Sequence, residues 1–160
     1  MALTGAGVST ESGIPDFRSP GSGLWTVLDA ELFTIKGFKA DPGAFYRAGL
    51  PFFRILEKAE PNHAHLALAE LEEEGLLKAV ITQNVDALHQ KAGSKRVFEI
   101  HGTLDSASCI HCGLKSPMEE VAADVEAGLI PPLCVDCGEP LKPDVVLFGE
   151  PLIRFYPKRP

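Results

Sequence analysis

Four cysteines, arranged as Cys109-x-x-Cys112 and Cys134-x-x-Cys137, constrain this chain more than any other feature. Each pair presents two thiolates from one tight turn, and two such pairs complete the tetrahedral ligand set of a single structural Zn2+. Gly113 and Gly138 follow the second cysteine of each pair, where the backbone must bend sharply toward sulfur. The alternatives are disulfides, disfavoured in a reducing compartment, and a redox pair, which needs one knuckle only. Four thiolates leave no open coordination position, so the ion is expected to hold a module together and not to activate water. His111, inside the first knuckle, reads as solvent-facing and not as a ligand.

Around this module the pattern is α/β. A chain of 160 residues, 45% of them hydrophobic, can build one core, or one core plus a small satellite. Apolar runs at Ala2 to Thr4, Leu76 to Ile81, Val97 to Ile100 and Val145 to Phe148 read as buried strands. Two helical patterns lie between the first and second. Residues 44–58 place Phe45, Phe52, Phe53 and Leu56 on a helix that Pro51 should kink or restart. A second helix has Asn62 as N-cap, Leu66, Leu68 and Leu71 as its apolar face, and Gly75 as its stop. Ser116-Pro117-Met118-Glu119 reads as a capping box with proline at the first helical position, and Gly128 closes that segment. Strands alternating with helices predict a partial Rossmann-like parallel sheet with a helical insertion and a small zinc-binding module.

Each apolar run is followed at once by small or polar residues: Gly5-Ala6-Gly7, Thr82 to Asp86, His101-Gly102 and Gly149-Glu150. In a parallel sheet these segments meet at one edge, in the crevice where such folds bind ligands. Gly5-Ala6-Gly7 would let backbone N–H groups approach a pyrophosphate, although a simple strand-to-helix turn explains the same residues and Thr10 stands where a dinucleotide fingerprint has its third glycine. The non-periodic stretch from Ser12 to Arg18 reads as a lid, with Phe17 as apolar cover and Arg18 as an anion partner. A surface loop closed by an Asp16–Arg18 pair is the plainer alternative. The net charge of -7 argues against nucleic acid as a partner, since phosphate binding needs concentrated Lys and Arg. The acidic patch at Glu70 and Glu72 to Glu74 reads as a solvated face. No leader pattern and no run of about 20 apolar residues is present, so a cytoplasmic chain without a membrane partner is expected.

Taken together, Gly5-Ala6-Gly7-Val8-Ser9, Ser12 to Arg18, Thr82 to Asp86, His101-Gly102, the two cysteine knuckles and Phe148-Gly149-Glu150 resemble the sirtuin family of NAD-dependent protein lysine deacylases, in order from Leu3 to Glu150. The resemblance implies transfer of an acyl group from lysine to the ADP-ribose of NAD, with nicotinamide released and acetyl-lysine proteins or peptides as partners. It implies catalytic roles for His101, as the base that deprotonates a ribose hydroxyl, and for Asn84. Gly5, Ala6, Gly7, Ser9, Asp16, Phe17, Arg18, Gln83, Asn84, Val85 and Asp86 would bind the cofactor, with Asp86 accepting from the nicotinamide carboxamide. Phe17, Val146 and Phe148 would line the acyl-lysine tunnel. Members that prefer acidic acyl groups carry a Tyr-x-x-Arg pair; here Gly49 follows Tyr46 at that spacing, which tilts the expectation to acetyl. His63 and His65 read as structural or exposed.

The resemblance divides the chain into residues 1–35 and 76–104 of the NAD-binding domain, a helical segment 36–75, a zinc-binding module 105–142, and a last strand and short tail 143–160. Family members continue beyond Phe148-Gly149-Glu150 with a Gly-Thr-Ser loop and adenosine-binding residues that do not occur here. The expectation is therefore an incomplete or degenerate enzyme that binds NAD weakly and turns over little. A non-catalytic zinc-stabilised protein-binding module is the competing reading, and a dehydrogenase a weaker third.

Overall fold

The computed structural model describes residues 1–152 apart from Ser22 and Val27. Strand β1 (Ala2–Thr4) leads into a 3-10 turn, Ala6–Ser12, two shorter 3-10 turns, and helices α1 (Ile35–Ala40), α2 (Pro42–Lys58) and α3 (His63–Glu73). Strand β2 (Val80–Thr82), helix α4 (Leu88–Lys91) and strand β3 (Val97–Glu99) follow. Strands β4 (Gly102–Cys109) and β5 (Lys115–Pro117), helix α5 (Met118–Glu126) and strand β6 (Leu141–Val145) come last. Strands β1, β2 and β3 lie side by side, all parallel, so that Thr4, Thr82 and Glu99 end in register. Strands β5, β4 and β6 form a second, antiparallel sheet.

Several sequence expectations are corrected. The run Val145 to Phe148 is not a strand of the parallel sheet. Val145 ends β6 and pairs antiparallel with Gly102, while Phe148 forms one isolated parallel bridge with Thr34. Apolar composition marks a buried strand without marking its partner or direction. The expected strand from Leu76 begins only at Val80, because the N–H groups of Leu76 and Leu77 both donate to the carbonyl of Leu71 and close the end of α3. β1 is an edge strand whose Leu3 is 69% exposed.

Helix α2 runs unbroken from Pro42 to Lys58 with Pro51 inside it. Pro51 and Arg47 both lie on the exposed face, where water can satisfy the carbonyl that proline leaves without a donor. Asp41 accepts from Ala44 N–H as its N-cap. Asn62 caps α3 as expected, yet the leucine face does not drive its packing: Leu66 is 42% and Leu71 39% exposed, and the buried residue is His65. The expected capping box before α5 is absent, because Ser116 pairs with Ala107 in β5 and Pro117 stands at the N-cap without a side-chain bond. Glu72, read as part of a solvated face, accepts from the backbone N–H groups of Lys95 and Arg96.

The largest buried cluster joins the two halves of the chain. Phe38, Phe45 and Tyr46 of the helical segment pack with Ala107, Cys109, Val121, Val125, Cys134 and Leu141 of the antiparallel unit, and with Leu147. The Tyr46 hydroxyl donates to the carbonyl of Leu141 at 2.8 Å. A second cluster, Ile14, Leu56, Ala59 and Leu88, brings the Ser12 to Arg18 stretch against the end of α2 and against α4.

Candidate functional site

Parallel pairing carries the strand ends to one edge. There the Gln83 N–H donates to the Thr4 carbonyl, and the Ile100 N–H donates to that of Thr82. Gly5 has an extended backbone, and neither Gly5 nor Gly7 has a positive φ. Their value is space: a side chain on Gly7 would meet nothing within 4 Å, and one on Gly5 would meet only the end of Gln83, at 4.0 Å. The opening turn is a 3-10 helix and not the start of an α-helix.

A buried polar network lies behind this edge. Ser9 Oγ donates to Asp86 Oδ2 at 2.6 Å, and Asn84 Nδ2 donates to both Ser9 Oγ at 3.0 Å and Asp86 Oδ2 at 3.2 Å. Asp86 Oδ1 accepts the Leu88 N–H at 3.0 Å. A carboxylate offers about four acceptor positions. Three are taken among the described residues, which leaves one position open. The Asn84 N–H is fixed on Thr82 Oγ1, and Ala87 holds φ 56, the one positive φ outside glycine among the described residues. Such strain is characteristic of a functional turn.

His101 sits just past β3. Its Nδ1 lies 2.9 Å from the Gln83 carbonyl; a carbonyl only accepts, so the neutral ring carries its proton on Nδ1 and its lone pair on Nε2. That tautomer suits a general base. The His101 carbonyl accepts the Val146 N–H at 2.7 Å. Val146 is thus bonded to His101 beside the antiparallel β4 and β6 pair, and not through a strand of the parallel sheet.

Phe148 is joined to Phe17 by one residue that the sequence reading did not single out. Trp25 stacks on Phe17 at 5.3 Å between centroids and packs on Phe148 at 5.7 Å and Phe33 at 5.6 Å. Asp16 shapes the Ser12 to Arg18 stretch from within. Its carboxylate accepts the Ser19 hydroxyl and the N–H groups of Ser19 and Arg18. The Ser19 bonds hold it below the usual carboxylate range. The expected alternative, an Asp16–Arg18 side-chain pair, is replaced by these bonds. Arg18 is exposed, and no contact among the described residues joins its guanidinium to the polar cluster. Val85 is half-buried between Asn84 and Asp86.

The sequence reading also missed Asn62, His65 and His89 as parts of the network. His65 Nε2 lies 3.4 Å from Ser9 Oγ, and Asn62 Nδ2 donates to the Val8 carbonyl and Ser12 Oγ. His89 Nε2 lies 2.9 Å from Thr4 Oγ1. The one available signal was Asn62-x-x-His65, a capping-box spacing with histidine in place of glutamate.

The four cysteine sulfurs lie within 4.8 Å of one another, with nearest separations of 3.4 and 3.6 Å. Zn–S bonds of ~2.3 Å at the tetrahedral angle place sulfurs ~3.8 Å apart, whereas a disulfide needs ~2.05 Å. The set is compatible with one structural zinc ion. Both knuckles have the same build: Gly113 N–H donates to Cys109 O and Gly138 N–H to Cys134 O, and both glycines hold φ 75. His111 is exposed, as expected, and gives only its backbone N–H to Cys109 sulfur.

Residues 5–158 match the family profile described as Sir2 family. The chain is 53% identical over 153 residues to NAD-dependent protein deacetylase 2 of Caldanaerobacter subterraneus subsp. tengcongensis, covering 95% of this chain and 61% of that protein. It is 50% identical over 156 residues to the NAD-dependent protein deacetylase of Saccharolobus solfataricus, covering 98% and 62%. The fold superposes on a Sir2 structure with a p53 peptide and NAD+ at a TM-score of 0.85 and 46% identity, covering 95% of this chain and 60% of that one. The chain spans about three fifths of the length of these relatives. The expected Rossmann-like α/β architecture with a four-cysteine cluster is borne out.

Proposed function

The chain belongs to the Sir2 family, and from that premise we propose that it is built for NAD-dependent protein-lysine deacetylation. One observation carries this reading: His101, with its lone pair on Nε2, stands at the same sheet edge as an Asp86 carboxylate that keeps one acceptor position free. When bound, NAD supplies ADP-ribose as acyl acceptor and nicotinamide as leaving group. Asp86 receives the carboxamide N–H, Asn84 and Gln83 hold the ribose, and the open space over Gly5, Ala6 and Gly7 admits the diphosphate to backbone N–H groups. Phe17 covers the site, with Arg18 nearby. His101 takes a proton from a ribose hydroxyl through Nε2.

Val146 and Phe148 offer an apolar wall to a neutralised lysine. Tyr46 is buried with its hydroxyl on Leu141, so it does not reach an acyl carboxylate, and acetyl is the favoured group. Relatives solved with a p53 peptide and NAD+, and with a propionylated peptide, support a peptide substrate. We place the protein in the cytoplasm, where four thiolates stay reduced; no helix among the described residues is long and apolar enough to cross a membrane. Residues 1–35 and 76–104 are read as the NAD-binding unit, 36–75 as its helical insertion, 105–142 as the zinc module, and 143–160 as the closing segment, whose residues 153–160 lie outside those described.

Titration with acetylated and unacetylated forms of one lysine peptide, with NAD present, tests the reading. Tighter binding of the acetylated form supports it, together with weak NAD-dependent deacetylation that His101→Ala abolishes. Equal binding of both forms turns the assignment to a zinc-stabilised protein-binding module.

A further inference from the structure

We infer that His65, on the helix behind the site, is a positioning residue for the carboxamide-binding carboxylate of Asp86, acting through the hydroxyl of Ser9; this rests on the NAD reading above. His65 is 0% exposed and touches no open surface, so a direct role in chemistry is excluded. Its effect follows from counting donors and acceptors. The Asn62 backbone N–H, which can only donate, points at His65 Nδ1 at 3.3 Å. The neutral ring therefore holds its proton on Nε2, and Nε2 faces Ser9 Oγ at 3.4 Å as a donor. Asn84 Nδ2 is a second donor to the same oxygen.

A hydroxyl oxygen has two lone pairs and one proton. With both lone pairs occupied, the Ser9 proton has one direction left, toward Asp86 Oδ2. His65 thus reinforces the orientation of a short bond that it does not itself make to the carboxylate. Without its donor, one Ser9 lone pair is left unpaired, and the hydroxyl that holds Asp86 is aimed less tightly. The ring is itself held in place. His89 packs edge-on against it at 4.8 Å and is anchored by Thr4 at the end of β1. Asn62 ties the same helix start to the turn through Val8 and Ser12. The cap of α3 is in effect a bracket for the cofactor turn, which explains why a helix with exposed leucines buries a histidine.

The test compares NAD with ADP-ribose, which lacks the carboxamide, on the 160-residue chain and on His65→Leu and His65→Gln. His65→Leu is expected to weaken NAD binding about tenfold, the scale of one lost buried hydrogen bond, and to leave ADP-ribose within about twofold. His65→Gln, whose amide can donate to Ser9, is expected to recover most of the loss. Equal losses for both ligands would reduce His65 to a fold residue, and unchanged NAD binding would remove its role altogether. Should His65→Leu not fold, His65→Asn keeps the acceptor for Asn62 and lacks the reach to Ser9. A wild-type chain that binds neither ligand sinks the NAD reading and not this inference, which the Asn84 side-chain amide resonances decide without ligand. They must move or broaden in His65→Leu and return in His65→Gln; identical spectra overturn it.

Discussion

Gly102→Ala should cost far more than its single methyl group suggests. Gly102 holds φ +85 where β4 leaves the site, and a Cβ there would lie 2.0 Å from the Asp144 carbonyl oxygen and 3.0 Å from Val145 Cα. Real Cβ contacts essentially never fall below 3.0 Å, so β4 and β6 must part by at least the 1.0 Å difference between 3.0 and 2.0 Å. Both near atoms are backbone, and no side chain can swing aside. The left-handed conformation costs alanine ~1–2 kcal/mol, overpacking ~1–3 kcal/mol, and the stretched bond from Val146 N–H to His101 O ~1 kcal/mol. The total is ~3–6 kcal/mol, a large share of the ~5–15 kcal/mol that stabilises a domain. Gly128→Ala is the matched control, since Gly128 also has positive φ, +83, with nothing within 4 Å. Urea unfolding of the two variants separates conformational strain from overlap. If Gly102→Ala falls within ~1 kcal/mol of Gly128→Ala, the close approach of the two strands beside His101 is not as described.

Zinc coordination separates exposed from buried cysteines in an unexpected way. Cys137 is exposed and Cys109 buried; each supplies one vertex of the cluster, so Cys137→Ser should destabilise by several kcal/mol, as Cys109→Ser does, and metal analysis should find one zinc per wild-type chain. A Cys137→Ser loss below ~0.5 kcal/mol, the ordinary cost of a surface change, would refute the metal site. Acid sensitivity follows from the buried histidines. Burial lowers the pKa of His65 and His89, each opposed by nearby Asp86 and, at His89, reinforced by His65. The unfolded chain then binds protons first, so this contribution is complete above an ordinary histidine pKa of ~6.5 and falls as pH drops below it, by up to ~1.4 kcal/mol per pH unit for each ring. Unfolding free energies between pH 8 and ~5.5, with His89→Gln as reference, check this; equal slopes in both proteins would contradict it. Ala87→Gly relieves φ 56 and should raise stability by ~1 kcal/mol; a loss in thermal midpoint would show that the turn is unstrained.

Legibility in the sequence followed the range of the interactions. The knuckles, the first and third strands and the Asn62 cap are local: spacing, a short apolar run, or one residue at a helix start determines each. What failed depended on partners far along the chain. Val145 to Phe148 reads as a buried strand on composition alone, but its direction is set by Gly102, whose missing side chain admits the Asp144 carbonyl. Leu66 and Leu71 have the period of a core face and are still exposed, because period reports which side could be buried and not what lies opposite. His65, Asn62 and His89 were unreadable as a network for the same reason. Their partners, Ser9, Val8 and Thr4, are supplied by a turn and a strand more than fifty residues away.

The same long-range packing ties the cysteine module to the rest of the candidate site. Four thiolates leave no open coordination position for chemistry. Cys109 and Cys134, however, share one buried cluster with Phe45, Tyr46 and Leu147. Leu147 is flanked by Val146, whose N–H is bonded to the His101 carbonyl, and by Phe148, which packs on Trp25 over Phe17. Lys142 bonds the carbonyls of Pro143 and Val145 and pairs with Glu150 at 3.1 Å, and Glu150 also accepts the Leu147 N–H. The Val146 to Phe148 segment is therefore anchored by a core on one side and an ion pair on the other. Because that core contains Cys109 and Cys134, loosening the knuckles is expected to disturb, through Leu147, the bond from the Val146 N–H to the His101 carbonyl.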